Sequence, residues 1–350
     1  MIALLSIQGL AMGYDVYGVG NALLDIQYDV TEAFLAEHNI GKGLMTYTSH
    51  EDQDKIMQAI GDGQLRLVAP GGSVANSMIA LSYFGGDGYF SCRVADDDAG
   101  KLYWSAMHEA GLASNFDHSP MPEEGHTGRC VVQITPDADR TMLTYLGASA
   151  ELNEGQIDLD ALAQSKYFYI EGYLTTSPGA LKAVIAAKEH AQKHGVKVAV
   201  TLSDPAIVQN FRPQFEELIG DGVDLIFSNK QEALDYAQVP TLAEAEKVLK
   251  QITKSYVITV GAKGSIVYDD HERVMVPATE EKAIDTLGAG DMYAGAFLYG
   301  ITHGLNGAQA GYLANITSSK VVTMYGPRIN KADTIALRQQ LIDHCGRVLT

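Results

Sequence analysis

Beyond residue 165 the chain alternates between two periods. Tyr167–Ile170, Val196–Leu202, Leu225–Ser228 and Tyr256–Val260 read as short apolar strands. Between them, Pro178–His194, closed by Gly195, and Leu242–Thr253 carry helical spacing. A hairpin, Ser265–Asp269 with Arg273–Val276, and a helix, Ala289–His303, follow. Parallel neighbours need crossovers, and helices are the usual ones. The pattern therefore predicts an α/β fold: a doubly wound, mainly parallel sheet with helices on both faces. The N-terminal half adds strands at Tyr14–Gly20, Gln64–Val68 and Tyr89–Val94. Helices are expected at Val74–Phe84, with Ser73 as its N-cap, and at Gly100–Ala110, stopped by Gly111. Residues 26–66 and 121–148 break the alternation and read as polar and β-rich. The second contains a hairpin, Gly128–Ile134 with Arg140–Tyr145. These two stretches are expected to form a small lid over one edge of the main sheet.

Composition narrows the partners. The 350 residues are 46% hydrophobic, ample for a core, and nothing like a linker divides residues 13–350. Residues 1–12, which end at a second methionine, are expected to be a loose or non-native tail. The formal charge of −18 repels nucleic acid and anionic membrane, so neither is expected as a partner. A small anion held by backbone dipoles is still admitted. Cys92, Cys130 and Cys345 form no CxxC, which suits a reducing cytoplasm. No apolar run reaches the roughly 18 residues of a membrane helix. Glycine, at 35 residues, exceeds the usual roughly 7%.

Three familiar signatures are absent. There is no G-x-x-x-x-G-K-[ST]; Gly18-Val19-Gly20-Asn21 lacks the third glycine of a dinucleotide fingerprint; His190 and His194 are not in an H-E-x-x-H context. The informative segment is Asp285-Thr286-Leu287-Gly288-Ala289-Gly290-Asp291. Small residues at a helix start leave orphan N–H donors open at the positive end of the dipole, a place for a phosphoryl group in transfer. Asp291, just inside, could take a proton from an attacking hydroxyl. On its own this reading is no stronger than a tight turn whose aspartate complements the dipole.

Four motifs in order change the balance. Asp285–Asp291 resembles the D-T-x-G-A-G-D signature of the ribokinase-like, PfkB-type sugar and nucleoside kinases. Gly71-Gly72-Ser73-Val74-Ala75-Asn76, with Gly85-Gly86 and Asp98-Ala99-Gly100, is similar to that family's N-terminal signature. Asn229-Lys230-Gln231-Glu232 matches its N-x-x-E, and Thr259-Val260-Gly261-Ala262-Lys263-Gly264 its T-x-G-x-x-G. Within the family, Gly18–Ile26 resembles the G-x-G-N-x-L-L-D-I opening of adenosine kinases. Tyr169–Pro178 and Leu202-Ser203-Asp204-Pro205 lean the same way.

The resemblance implies a ribokinase-like fold and ATP-dependent phosphorylation of a nucleoside 5′-hydroxyl, adenosine first. A free-sugar kinase and a non-catalytic nucleoside-binding regulator stand as rivals. It implies Asp291 as general base, with Gly288, Ala289 and Gly290 cradling the phosphoryl group. Asn21, Asp25, Gly71, Gly72 and Asn76 would hold the acceptor, Asp25 taking a ribose diol. Arg140, in the lid, would neutralise phosphate; a hairpin arginine in solvent is an equal alternative. Asn229, Thr259, Gly261, Gly264 and Asn315 would line the ATP site. Asn229 and Glu232 would order a hydrated Mg²⁺ through water. Many relatives also use a monovalent cation such as K⁺ near Asp285 and the Tyr325-Gly326-Pro327 turn. A monomer or a homodimer is equally open. The glycines at 18, 20, 71, 72, 261, 264, 288 and 290 are expected where backbone approaches ligand.

Overall fold

The computed structural model describes residues 13–137, 139–269 and 272–346. The expectation for residues 1–12, and Ala138 of the hairpin turn, lie outside the described residues. In chain order the strands are β1 (Val16–Val19), β2 (Leu23–Asp29), β3 (Met45–Tyr47), β4 (Leu65–Gly71), β5 (Gly88–Ser91), β6 (Ala113–Ser114), β7 (Gly128–Ile134), β8 (Arg140–Tyr145), β9 (Tyr167–Glu171), β10 (Lys197–Thr201), β11 (Val223–Asn229), β12 (Thr253–Thr259), β13 (Ser265–Asp269) and β14 (Arg273–Val276).

The main sheet runs β14-β13-β12-β11-β10-β9-β1-β5-β6. From β12 to β6 every pairing is parallel, and the β13–β14 hairpin adds an antiparallel edge. Its central strands are buried along their length, as a sheet covered on both faces demands. One side packs on Ser73–Phe84, Ala289–Thr302 and Gly307–Val321, with Phe84, Met292, Tyr293 and Leu313 in the core. The other packs on Pro178–Lys193, Arg212–Ile219 and Leu242–Ile252, through Val184, Phe215 and Leu249. The α/β class is the expected one.

A second, five-stranded sheet runs β3-β8-β7-β2-β4 and mixes parallel with antiparallel pairs. Alternation gives it two different faces. Leu24, Ile26, Tyr28, Val131 and Leu143 pack on the helices Glu32–Glu37 and His50–Ile60. The opposite face carries Asp25, in register with Cys130, and the apolar group Cys130, Val132, Ile134 and Met142.

Two local expectations need correction, and two long helices add to the expected elements. Stretch 26–66 is half helical, because Ser49 caps His50–Ile60 through the Asp52 N–H. Gly307–Val321 and Asp333–Cys345 are helices beyond those expected. Ser73 is not the N-cap of its helix: Gly72, with φ of +102°, holds that place and offers no side-chain acceptor.

Candidate active site

Asp291 stands in the first turn of the helix Ala289–Thr302. Gly288 caps that helix at φ +72°, and a Cβ there would run into the Pro327 carbonyl. Gly290 faces open space. The first-turn N–H groups of such a helix point outward without intrahelical acceptors.

Two side chains from the helix Ser73–Phe84 hold the Asp291 carboxylate. Ser73 Oγ donates to Oδ1 at 2.5 Å, and Asn76 Nδ2 donates to Oδ2 at 2.9 Å. The Ser73 hydroxyl, expected to cap its own helix, is spent on this bond. Asn76 Oδ1 stays buried with no partner among the described residues, an acceptor left for something else. Burial pushes Asp291 up to about 6; the Ser73 and Asn76 bonds and the Arg328 charge pull the other way.

Asp25 lies close by on β2. Burial pushes it up to about 7, opposed by Arg328 and Arg140 and reinforced by the negative charge of Asp291. Its carboxylate fills the space that a side chain at Gly71 would need. Gly72 sits against the Asn21 carbonyl, and Asn21 is buried beneath the site. Arg328, the cation acting on both carboxylates, was not anticipated. Its one sequence signal is its place directly after the Tyr325-Gly326-Pro327 turn.

Two cavities meet at the glycine loop. The larger, about 760 Å³, is lined by Thr259, Gly261, Gly264, Ala289, Gly290 and Asn315 among others. The smaller, about 240 Å³, is lined by Ser73, Asn229, Glu232, Gly288, Gly290 and Asp291 among others. Asn315 braces the larger one: its amide donates to Ser265 Oγ and to the Val276 and Pro277 carbonyls. Asn229 and Glu232 close a reciprocal capping box. Glu232 accepts from Asn229 N at 2.9 Å and Nδ2 at 2.5 Å, and donates its own N–H back to Asn229 Oδ1 at 2.9 Å. Burial pushes Glu232 up to about 7 against those bonds.

Arg140 is placed differently from the phosphate-facing role expected of it. Its guanidinium pairs with Asp285, whose side chain is 1% exposed. Asp285 also accepts from Leu287 N at 2.8 Å and Gly326 N at 2.9 Å. One carboxylate thus ties β8 of the smaller sheet to the glycine loop and to the turn before Arg328. The aromatic residues Tyr17 of β1 and Phe168 and Tyr169 of β9 belong to the core. Tyr17 stacks on Tyr89 at 4.8 Å, and Phe168 meets Tyr17 edge-on.

A helix start with open N–H groups and a held carboxylate, beside a cavity of about 760 Å³ on a doubly wound sheet, is an arrangement that suits a phosphotransferase with an alcohol acceptor. Residues 44–334 match the pfkB family carbohydrate kinases, and the chain belongs to that family. The solved adenosine kinase from Sinorhizobium meliloti is 34% identical, with a TM-score of 0.85, covering 93% of this chain and 99% of that one. The Saccharomyces cerevisiae adenosine kinase is 28% identical over 309 residues, 82% of this chain and 88% of that protein. A Bacillus anthracis 5-dehydro-2-deoxygluconokinase is 29% identical over 269 residues, 73% of this chain and 80% of that protein.

Proposed function

We propose that this kinase transfers the terminal phosphoryl group of ATP to the 5′-hydroxyl of a nucleoside, adenosine first. The observation that carries the reading is the grouping of Asp25, Asn76 and Asp291 at the mouth of the glycine loop. Asp25 offers two acceptor oxygens to a vicinal diol. The free Asn76 Oδ1 accepts a hydrogen bond from a further hydroxyl. Asp291, ionised and held by Ser73 and Asn76, accepts the proton of the attacking hydroxyl as the oxygen meets phosphorus. The loop N–H groups take up charge on the phosphoryl oxygens.

The larger cavity suits ATP, with its phosphates running past Gly290 towards the smaller one. Among the described residues no three His, Cys, Asp or Glu side chains group to hold a bare metal ion. Both Glu232 oxygens already accept from Asn229. The pair therefore fits a Mg²⁺ that keeps its waters, and the ion would supply charge neutralisation on the phosphates. The smaller sheet serves as the lid, tied down through Arg140.

The apolar group Cys130, Val132, Ile134 and Met142 on the Asp25 face favours a nucleoside, since a purine needs such a wall. The 5-dehydro-2-deoxygluconokinase relative favours a second reading, a kinase of a free sugar acid or sugar. ADP release with adenosine, inosine, guanosine, ribose and 5-dehydro-2-deoxygluconate tests both. Turnover highest with adenosine is expected. Turnover with a sugar alone replaces the first reading by the second, and no turnover with any acceptor sinks both.

A further inference from the structure

We infer that Glu171 is a positioning residue for the catalytic carboxylate: it caps the helix Ser73–Phe84 from a neighbouring strand and so frees Ser73 to hold Asp291. This inference rests on the kinase reading above.

The helix needs an acceptor at its N-terminus and lacks one of its own. Gly72 occupies the cap position without a side chain. Ser73, the natural substitute, has turned its hydroxyl to Asp291. Glu171 supplies what is missing. It is the last residue of β9, flanked in the sheet by β1 and β10, and is 1% exposed. One carboxylate oxygen accepts from the Val74 N–H at 3.0 Å, the other from the Asn21 N–H at 3.3 Å. A carboxylate at this point also meets the positive end of the helix dipole. The chain has made room for it, because a Cβ on Gly20 would strike the Glu171 carboxylate.

A single side chain on a rigid strand thereby fixes the Gly20–Asn21 turn and the first helical turn. Ser73 and Asn76 leave that turn on the side of Asp291. Shifting the turn by a fraction of an ångström would loosen both bonds to the base, and catalysis is steep in such displacements. Burial holds the Glu171 carboxyl up at about 7 against its two N–H bonds, with Asp291 adding to the rise. The group is therefore costly to keep in place, which is hard to reconcile with an inert position.

Glu171→Gln keeps the length but turns an amide N–H₂ on one of the two N–H donors. The variant is expected to fold and to lose roughly tenfold or more in kcat, with KM for ATP within about twofold. A purely structural role would lower the melting temperature and spare kcat per folded molecule. Combined with Ser73→Ala, the loss should fall short of the product of the single losses, because both act through the same bond. A folded Glu171→Gln enzyme with kcat within twofold of wild type, or strictly multiplicative losses, overturns the inference. Amide exchange gives a readout free of any substrate. Faster exchange at Val74–Ser77 in Glu171→Gln is expected, and unchanged exchange there refutes the capping role. If the wild type phosphorylates no acceptor, the functional reading has failed and the exchange result alone decides this one.

Discussion

Eight glycines are expected where backbone approaches ligand, and the space around each differs. Gly261 and Gly290 face open space, as backbone that meets a ligand should. The other six are closed off by protein. Side chains at Gly18 would meet Met78 and Val74; at Gly20, Glu171; at Gly71, Asp25; at Gly72, the Asn21 carbonyl; at Gly264 and Gly288, the carbonyls of Val276 and Pro327. A sequence shows that something comes close to a glycine and cannot show what. The place of Asp291 was legible because an aspartate directly after a run of small residues at a helix start falls in the first helical turn. Arg328 and Glu171 were not, since each acts on partners more than 30 positions away in the chain. Asp291→Asn should leave binding of both substrates nearly intact and cut kcat by about 10²–10⁴, a general-base contribution. A loss below tenfold would remove Asp291 from that role. The base must also be ionised to act. With Asp291 at about 6, kcat/KM should fall away below about pH 6, whereas an unperturbed aspartate would sustain it to about pH 4. An acid limb near pH 4 in the rate profile would contradict the assigned environment.

At the level of elements, the long alternating half was the easiest to read, because two periods and short loops leave few topologies. The β7–β8 and β13–β14 hairpins fall at their expected residues. The helix His50–Ile60 was hidden by its polarity: Gln53 is its one fully buried residue, so the apolar stripe that marks a helix is faint. The cap of Ser73–Phe84 was misplaced for a different reason, since a serine before an apolar run looks the same whether its hydroxyl serves its own helix or a distant carboxylate. The Arg140–Asp285 pair is a tie between elements, joining β8 to the glycine loop. Removing one partner of a buried pair leaves an uncompensated charge and is strongly destabilising locally. Arg140→Ala should therefore speed amide exchange across Gly128–Tyr145 and lower kcat/KM for the acceptor. Exchange unchanged in that hairpin would show that the pair does not hold the smaller sheet down.

Across the whole molecule, four carboxyl groups converge on one region with their proton affinities raised together. Asp25, Glu171 and Glu232 are pushed up to about 7 and Asp291 to about 6, burial being the first cause in each. In the unfolded chain all four return to the ordinary range near pH 4. Between about pH 4 and 7 the folded protein consequently binds more protons than the unfolded one, and the slope of stability with pH is negative. The stability that proton uptake brings is fully present below the unfolded values and is lost as pH rises through 6 to 7. Groups with depressed values act in the opposite sense but in another window. Asp137, held near 2 by its bonds to Lys42 and Thr135, and Asp97, lowered by its hydrogen bonds to Thr127 and Gly100 against the pull of burial, give up their contribution only as pH falls below about 4. His50, lowered by burial, opposes the four as one group against several. The net charge of −18 reinforces them, because acidification relieves self-repulsion. The ligand-free enzyme should thus melt at a higher temperature at pH 5.5 than at pH 8, over the same interval in which its turnover falls. Asp25→Asn separates the local from the global cause. It changes the net charge by one but deletes a quarter of the titrating cluster, so it should visibly flatten the dependence. A melting temperature that is level or lower at pH 5.5, or a slope untouched by Asp25→Asn, would mean that the cluster is not what couples this fold to pH.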